Sequence, residues 1–195
     1  MCGVRKTGNR VRQGLLILST LLASWLGMQA VHEFGHVLGG WVSGGRVAKV
    51  VLYPLTISRT DLAENPHPLV VVWAGPVVGV LLPLGFWGIA AAVKSRVAFL
   101  LRFFAGFCLL ANGLYIGTGS FGRVGDCGEM LRHGSHAWQL WLFGAVTAPI
   151  GLWLWHGQGR HFGLGAANGE VDRMAVVASV VVCGASLVLG FLVGQ

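Results

Sequence analysis

The stretch from Gly14 to Val42, GLLILSTLLASWLGMQAVHEFGHVLGGWV, decides the fold. It is apolar enough to cross a bilayer, because a transmembrane helix needs about 20 consecutive, mostly apolar residues. As a helix it is about 43 Å long, which exceeds a hydrocarbon core of about 30 Å, so it must tilt, protrude or bend. The stretch therefore predicts a membrane-spanning helix with a polar segment in its second half.

That polar segment is His32-Glu33-Phe34-Gly35-His36, an HExxH pattern. On a helix the two imidazoles lie about one turn apart, so both can ligate one metal ion from the same face. Glu33 is then placed beside the metal, where its carboxylate can take a proton from a water molecule. Ionisable residues inside a span cost about 2.5 to 3.5 kcal/mol on insertion scales, which makes them functional candidates. The segment predicts a zinc site in the bilayer, with Glu33 as the catalytic residue.

Composition supports an integral membrane protein. Charged residues make up 11% of the chain and hydrophobic residues 54%, whereas a soluble domain carries about 25% charged residues. The formal net charge of +7 is spread over termini and loops without a basic patch interleaved with aromatics, so it carries topology information and does not predict nucleic-acid binding. We expect one integral domain over residues 1–195 in a lipid bilayer, such as the cell membrane of a prokaryote.

Five segments are long and uncharged enough to be spans. They cover residues about 14–43, 68–93, 97–118, 137–155 and 174–193. The basic N-terminus before the first span resembles a signal peptide, but cleavage near Ala30 would remove the span, so a retained anchor is expected. The predicted fold is an all-α membrane protein, a polytopic bundle of about five transmembrane helices.

The segment between the first two spans, Arg46 to Pro68, has a strand-like composition. The residues from Val47 to Ile57 are rich in β-formers, while Pro54 fits badly in a central strand. A short β-hairpin or edge strand is therefore expected after the first helix. Two further polar, glycine-rich loops are expected at about 119–136 and 156–173.

Catalytic zinc usually takes three protein ligands, so the two histidines need a partner. Asp126 and Glu129 lie where the polar loop is expected to meet the next helix, whereas Asp61 and Glu64 lie in a loop typical of solvated surface. Five further histidines lie in loops or at span ends: His67, His133, His136, His156 and His161. From the residues alone, the third ligand is Asp126, Glu129 or a loop histidine.

The first span, quoted as HEFGHVLGG from His32 to Gly40, resembles the zinc-binding helix of the site-2 protease family, the M50 intramembrane metalloproteases. AGPVVG from Ala74 is similar to the family's Gly-Pro segment, and Asn112 followed by the Gly125-to-Gly128 segment GDCG looks like its Asn and Asp-Gly elements. The resemblance covers about the first 135 residues, with a catalytic core at about 14–135. This chain differs from the pattern in that Cys127 separates Asp126 from the glycine.

The resemblance implies that zinc is held by His32, His36 and Asp126 and that a membrane protein is the substrate. It implies for Asn112 a hydrogen bond to the scissile carbonyl or to the connecting loop, with an interhelical hydrogen bond as the alternative. Asp126 could equally be a helix cap or turn residue. The strand-like segment is expected to pair with an unwound substrate, or to be an ordinary structured loop.

Two other functions also fit the sequence. One is a zinc-binding, non-proteolytic membrane protein of the same fold that acts as a binding or regulatory partner. The other is a structural or transport protein with a fortuitous HExxH. Orientation is also open, because basic residues before the first span favour a cytoplasmic N-terminus and a site nearer the outer face, whereas the family usually has its site nearer the cytosol.

Overall fold

The computed structural model describes residues 2–193, and the side chains of residues 9–192. Most of this part of the chain is helical, and a two-stranded sheet follows the first helix. The elements in chain order are α1 (Cys2–Val42), β1 (Arg46–Val51), β2 (Arg59–Glu64), α2 (Pro68–Ala92), α3 (Ala98–Gly122), α4 (Gly125–Arg132), α5 (Ala137–Trp155) and α6 (Arg173–Val193), with short 3-10 helices at Gly159–Phe162 and Gly165–Ala167 between the last two.

Five of these helices are long and apolar enough to cross a membrane. The candidate spans are Asn9–Val42, Pro68–Ala92, Ala98–Gly122, Ala137–Trp155 and Arg173–Leu192. Large apolar side chains on their outer surfaces are exposed, among them Leu18, Leu81 and Val181. Such surfaces suit lipid, because a helix satisfies its own backbone hydrogen bonds. The predicted helical membrane bundle is confirmed, and the chain is a multi-pass membrane protein.

The predicted hairpin after the first helix is also confirmed, although its strands differ from expectation. β1 and β2 are antiparallel, with Val50 opposite Thr60. The β-forming run leaves the sheet after Val51, before Pro54, because proline cannot donate to a strand ladder. The prediction that Asp61 and Glu64 lie in a loop was wrong, since both belong to β2. Charged side chains fit this strand because they stay exposed and form ion pairs.

Glycines let the spanning helices approach closely. A Cβ added to Gly39 of α1 would lie 2.6 Å from the Ala74 Cβ of α2. A Cβ added to Gly35 of α1 would collide with the Ala74 backbone. A Cβ on Gly144 of α5 would lie 2.7 Å from the Gly113 carbonyl oxygen of α3. Small residues at these crossings allow the backbone contact that drives helix association in lipid. They bring α1 against α2 and α5 against α3.

The loop predicted at about 119–136 is largely helical, which corrects that expectation. α3 continues to Gly122, and α4 then occupies Gly125–Arg132. The chain reverses between them through left-handed backbone at Arg123 (φ 52°) and Gly125 (φ 56°), a conformation that glycine adopts without steric cost. The turn brings α4 back against α3, where Cys127 and Met130 are buried beside Ile116.

Candidate metal centre

The HExxH segment lies on α1, facing the interior of the bundle. His32 and His36 are each 7% exposed and Glu33 is 3% exposed. The helical repeat brings the two imidazole centroids to 4.8 Å, nearly edge to face. Both rings therefore face the same cavity, as the spacing predicted.

Asp126 completes the group from a distant part of the chain. It lies in the first turn of α4, and its Oδ2 is 2.8 Å from His32 Nε2 and 3.5 Å from His36 Nε2. One candidate ligand atom from each of the three residues lies within 4.8 Å of the others. Since zinc bonds to nitrogen and oxygen are about 2 Å long, such a group could hold a metal ion. The structure thus brings together the three residues proposed as ligands.

Contacts between α3 and α4 hold Asp126 in place. The Asp126 backbone N–H donates to the Tyr115 hydroxyl at 3.1 Å. The Cys127 thiol contacts the Tyr115 carbonyl oxygen at 3.3 Å. A Cβ added to Gly119 of α3 would lie 2.6 Å from the Cys127 sulfur, so the two helices are in close contact there. Cys127, the residue that interrupts the expected Asp-Gly pair, is therefore the buried side chain that docks this helix onto α3.

Each imidazole is oriented through its other nitrogen. His32 Nδ1 donates to Asn112 Oδ1 at 2.7 Å, and His36 Nδ1 donates to the Val71 carbonyl oxygen at 2.9 Å. The Asn112 amide is oriented by its own Nδ2, which donates to the Cys108 carbonyl oxygen at 2.9 Å. The Asn112 amide oxygen and the Val71 carbonyl oxygen can only accept a hydrogen bond, so each Nδ1 carries the proton. The Nε2 atoms of the neutral rings then present lone pairs to Asp126.

The position of the proton on Nδ1 of both rings has an electrostatic consequence. A neutral His32 Nε2 and the Asp126 carboxylate are both acceptors, and at 2.8 Å they repel unless a cation or an added proton lies between them. Burial by itself raises the pKa of Asp126, but hydrogen bonds and positive charge from His32 and His36, which require a proton on Nε2, outweigh it and hold the pKa well below its usual range. The Asp126 carboxylate is thus stabilised as an anion by positive charge between it and the two rings, whether an added proton or a bound cation supplies that charge.

Asn112 forms the interhelical hydrogen bond that was the alternative to substrate binding. It is 1% exposed and joins α3 to His32 of α1. Its amide also lines the cavity beside the candidate metal group. Contact between Asn112 and a substrate stays a prediction.

Thr60 is a neighbour of the site that sequence reasoning missed. Its hydroxyl donates to Glu33 Oε2 at 2.8 Å and lies 3.3 Å from the Glu33 carbonyl oxygen. Nothing in the sequence distinguishes this threonine, because its position depends on the pairing of β1 with β2. The hairpin therefore contacts the proposed catalytic carboxylate directly.

The other candidate ligands lie outside the metal group. Glu129 lines the cavity but forms ion pairs with Arg132 and His133. His136 is the N-cap residue of α5, and His161 stacks on the Phe99 ring. Among residues 9–192, whose side chains the structure describes, the only group of three or more metal-ligating side chains is His32, His36 and Asp126.

A cavity of about 780 Å³ extends from this group. Apolar side chains from three helices line much of it, including Trp25, Met28, Val72 and Ala111. The hairpin contributes Ile57, Arg59, Thr60 and Leu62 on another side. The volume and the mainly apolar walls are typical of a ligand site.

No protein-family model matches the chain, and comparisons with curated proteins and with solved structures find no match. The resemblance of the HEFGH, AGP and Asp126 segments to the site-2 protease family therefore stays a prediction. The candidate site is interpreted from its own geometry.

Proposed function

We propose that this chain is a zinc-dependent intramembrane endopeptidase of the site-2 protease type. Its substrate would be a membrane protein, cleaved at a peptide bond in or near a transmembrane segment. The observation that carries the proposal is the pair of imidazoles whose Nδ1 atoms are engaged by oxygens, so that both Nε2 atoms face one half-buried carboxylate. The membrane setting supports a membrane protein as the substrate, and the adjacent Glu33 supports hydrolysis with a general base.

The donor set fits zinc. Two imidazole nitrogens and one carboxylate oxygen suit zinc better than calcium or magnesium, which prefer oxygen ligands. Catalytic zinc sites typically use three protein ligands and keep one position open. Metal-bound histidines usually donate their other N–H to an oxygen, as His32 and His36 do here. His32, His36 and Asp126 would hold the ion.

The side chains around this group have distinct roles in the proposed hydrolysis. When bound, zinc supplies a Lewis acid that polarises the peptide carbonyl and activates water. Glu33 accepts a proton from the attacking water and returns it to the leaving amine as the C–N bond breaks. The cavity beside it accommodates a locally unwound segment, and the hairpin that lines the cavity pairs with the exposed backbone.

Metal content tests the ligand set. We expect about one zinc ion per chain in the purified protein, and a large loss in His32→Ala, His36→Ala and Asp126→Ala, because each removes one of three ligands. His161→Ala is the matched control, since His161 stacks on Phe99 outside the group. Elemental analysis of the purified variants makes the measurement. Full occupancy in Asp126→Ala would contradict the proposed third ligand.

Cleavage tests the reaction. The protein is reconstituted in vesicles with a set of single-span membrane proteins tagged at both ends, and fragments are measured on gels. We expect Glu33→Gln to keep zinc but to lose activity by about 100-fold or more, the usual contribution of a general base. Bound zinc without cleavage of any member, and Glu33→Gln indistinguishable from wild type in cells, would favour the non-proteolytic binding or regulatory function instead.

A further inference from the structure

The β-hairpin meets the proposed catalytic carboxylate through a single hydroxyl. Thr60 Oγ1 lies 2.8 Å from Glu33 Oε2, within the usual range for a hydroxyl donor and an oxygen acceptor. Glu33 is 3% exposed, so this contact is shielded from bulk solvent. A hydrogen bond to an ionised carboxylate in such surroundings is stronger than one between neutral groups.

The sheet register determines where this hydroxyl lies. Thr60 and Leu62 are two residues apart on β2, so their side chains point to the same face. Leu62 packs against α1, because a Cβ on Gly40 would lie 3.1 Å from the Leu62 Cδ2 atom. Asp61 points the other way and pairs with Arg59. The inward face of β2 thus docks on α1 and places Thr60 over Glu33.

The helix alone does not orient the Glu33 carboxylate. α1 determines the position of its Cα, but the side chain has three rotatable bonds and could point elsewhere in the large cavity. A hydroxyl that holds Oε2 limits these rotamers and leaves the other carboxylate oxygen to exchange a proton. Proton transfer depends on hydrogen-bond geometry, so orientation of the carboxylate affects the rate.

We infer that Thr60 is a positioning residue for Glu33, through which the hairpin orients the proposed general base. The inference rests on the proposed function for its catalytic consequence, whereas the Thr60–Glu33 contact can be tested separately. Thr60 acts through Glu33 and is not itself a metal ligand or a proton carrier.

The first test compares three variants in the cleavage assay with purified, zinc-loaded protein. Thr60→Val keeps the shape of the side chain and removes the hydroxyl, so we expect kcat to fall by about 10- to 100-fold, with little change in KM. Thr60→Ser keeps the hydroxyl and should restore most of the rate. Thr118→Val is the matched control, because its hydroxyl donates only within α3, to the Leu114 carbonyl oxygen. Wild-type kcat in Thr60→Val, with wild-type zinc content, would overturn the inference.

The second test measures hydrogen exchange of the hairpin amides by mass spectrometry, in metal-free protein. Thr60→Val and Glu33→Ala should each speed exchange at residues 59–64, and the double variant should exchange no faster than the single ones, because both remove the same contact. Additive effects would overturn the inference. If the wild type cleaves nothing but the exchange coupling is present, the proposed protease function is wrong and Thr60 still holds the Glu33 side chain.

Discussion

Two oxygen atoms that contact no metal decide the chemical state of the candidate ligands. The Asn112 amide oxygen and the Val71 carbonyl oxygen each accept a proton from an imidazole Nδ1. This orients both rings and leaves the Nε2 atoms free to ligate. Asn112 is nearly fully buried, and both ends of its amide are engaged. At the scale of single residues, Asn112 therefore prepares His32 for metal binding.

Replacing Asn112 should weaken zinc binding without removing a ligand. Asn112→Leu removes the acceptor for His32 Nδ1, so we expect zinc affinity to fall by about 10- to 100-fold, the usual effect of losing such a partner. Asn112→Asp keeps an oxygen acceptor and should bind zinc more tightly than Asn112→Leu. Competition with a chromogenic chelator measures both. Equal affinity in wild type and Asn112→Leu would show that this hydrogen bond does not prepare the ring.

At the scale of elements, the α1–α2 crossing shapes the site. The two helices touch where Gly35 and Gly39 meet the Ala74 region, and Gly75 lies against the His36 imidazole. Gly75 belongs to the AGPVVG segment from Ala74, and a Cβ on Gly75 would lie 2.5 Å from His36 Nε2. A glycine at this position makes room for the candidate ligand.

Adding one methyl group at this crossing should disturb the site. Gly75→Ala pushes the His36 ring, which cannot move freely because Nδ1 is bound to the Val71 carbonyl oxygen. We expect zinc affinity to fall by about 10-fold or more, since metal sites tolerate displacements of only about 0.5 Å. Gly85→Ala on the same helix is the control, because a Cβ there meets nothing within 4 Å. Equal zinc affinity in the two variants, measured by chelator competition, would contradict this role for Gly75.

At the scale of the whole molecule, the candidate ligands tie together distant parts of the chain. His32 and Asp126 are 94 residues apart, on α1 and α4, and α2 and α3 orient the imidazoles between them. An ion that binds only the folded arrangement must stabilise the fold by mass action. Metal binding and bundle assembly are therefore expected to be coupled.

Thermal unfolding in detergent can measure this coupling. At a zinc concentration of 100 times Kd, we expect stabilisation of about 2.7 kcal/mol and a rise in Tm of about 5 to 10 °C. A chelator should reverse the rise, and magnesium should not produce it, because it prefers oxygen ligands. Asp126→Ala should show little shift. A shift of the same size in that variant would mean that zinc stabilises the protein from another site.

Features that depend on local geometry could be predicted from the sequence. Length and lack of charge predicted the five spans, and the HExxH spacing predicted that His32 and His36 share a helix face. Both predictions follow from the helical repeat and from the length of an apolar run compared with the thickness of a bilayer. These quantities depend only on residues that are close in sequence. Asp126 was selected through the family resemblance, since the residues alone also allowed Glu129 or a histidine.

The tertiary structure decided what depends on distant parts of the chain meeting. It placed Asp126 on a short helix where a loop was expected, turned Asn112 towards His32, and brought Thr60 of β2 to Glu33. Such contacts depend on backbone reversal, helix crossing and strand register, and no local pattern encodes these. The sequence by itself determined the membrane bundle and one face of the site, whereas packing decided which side chains complete it.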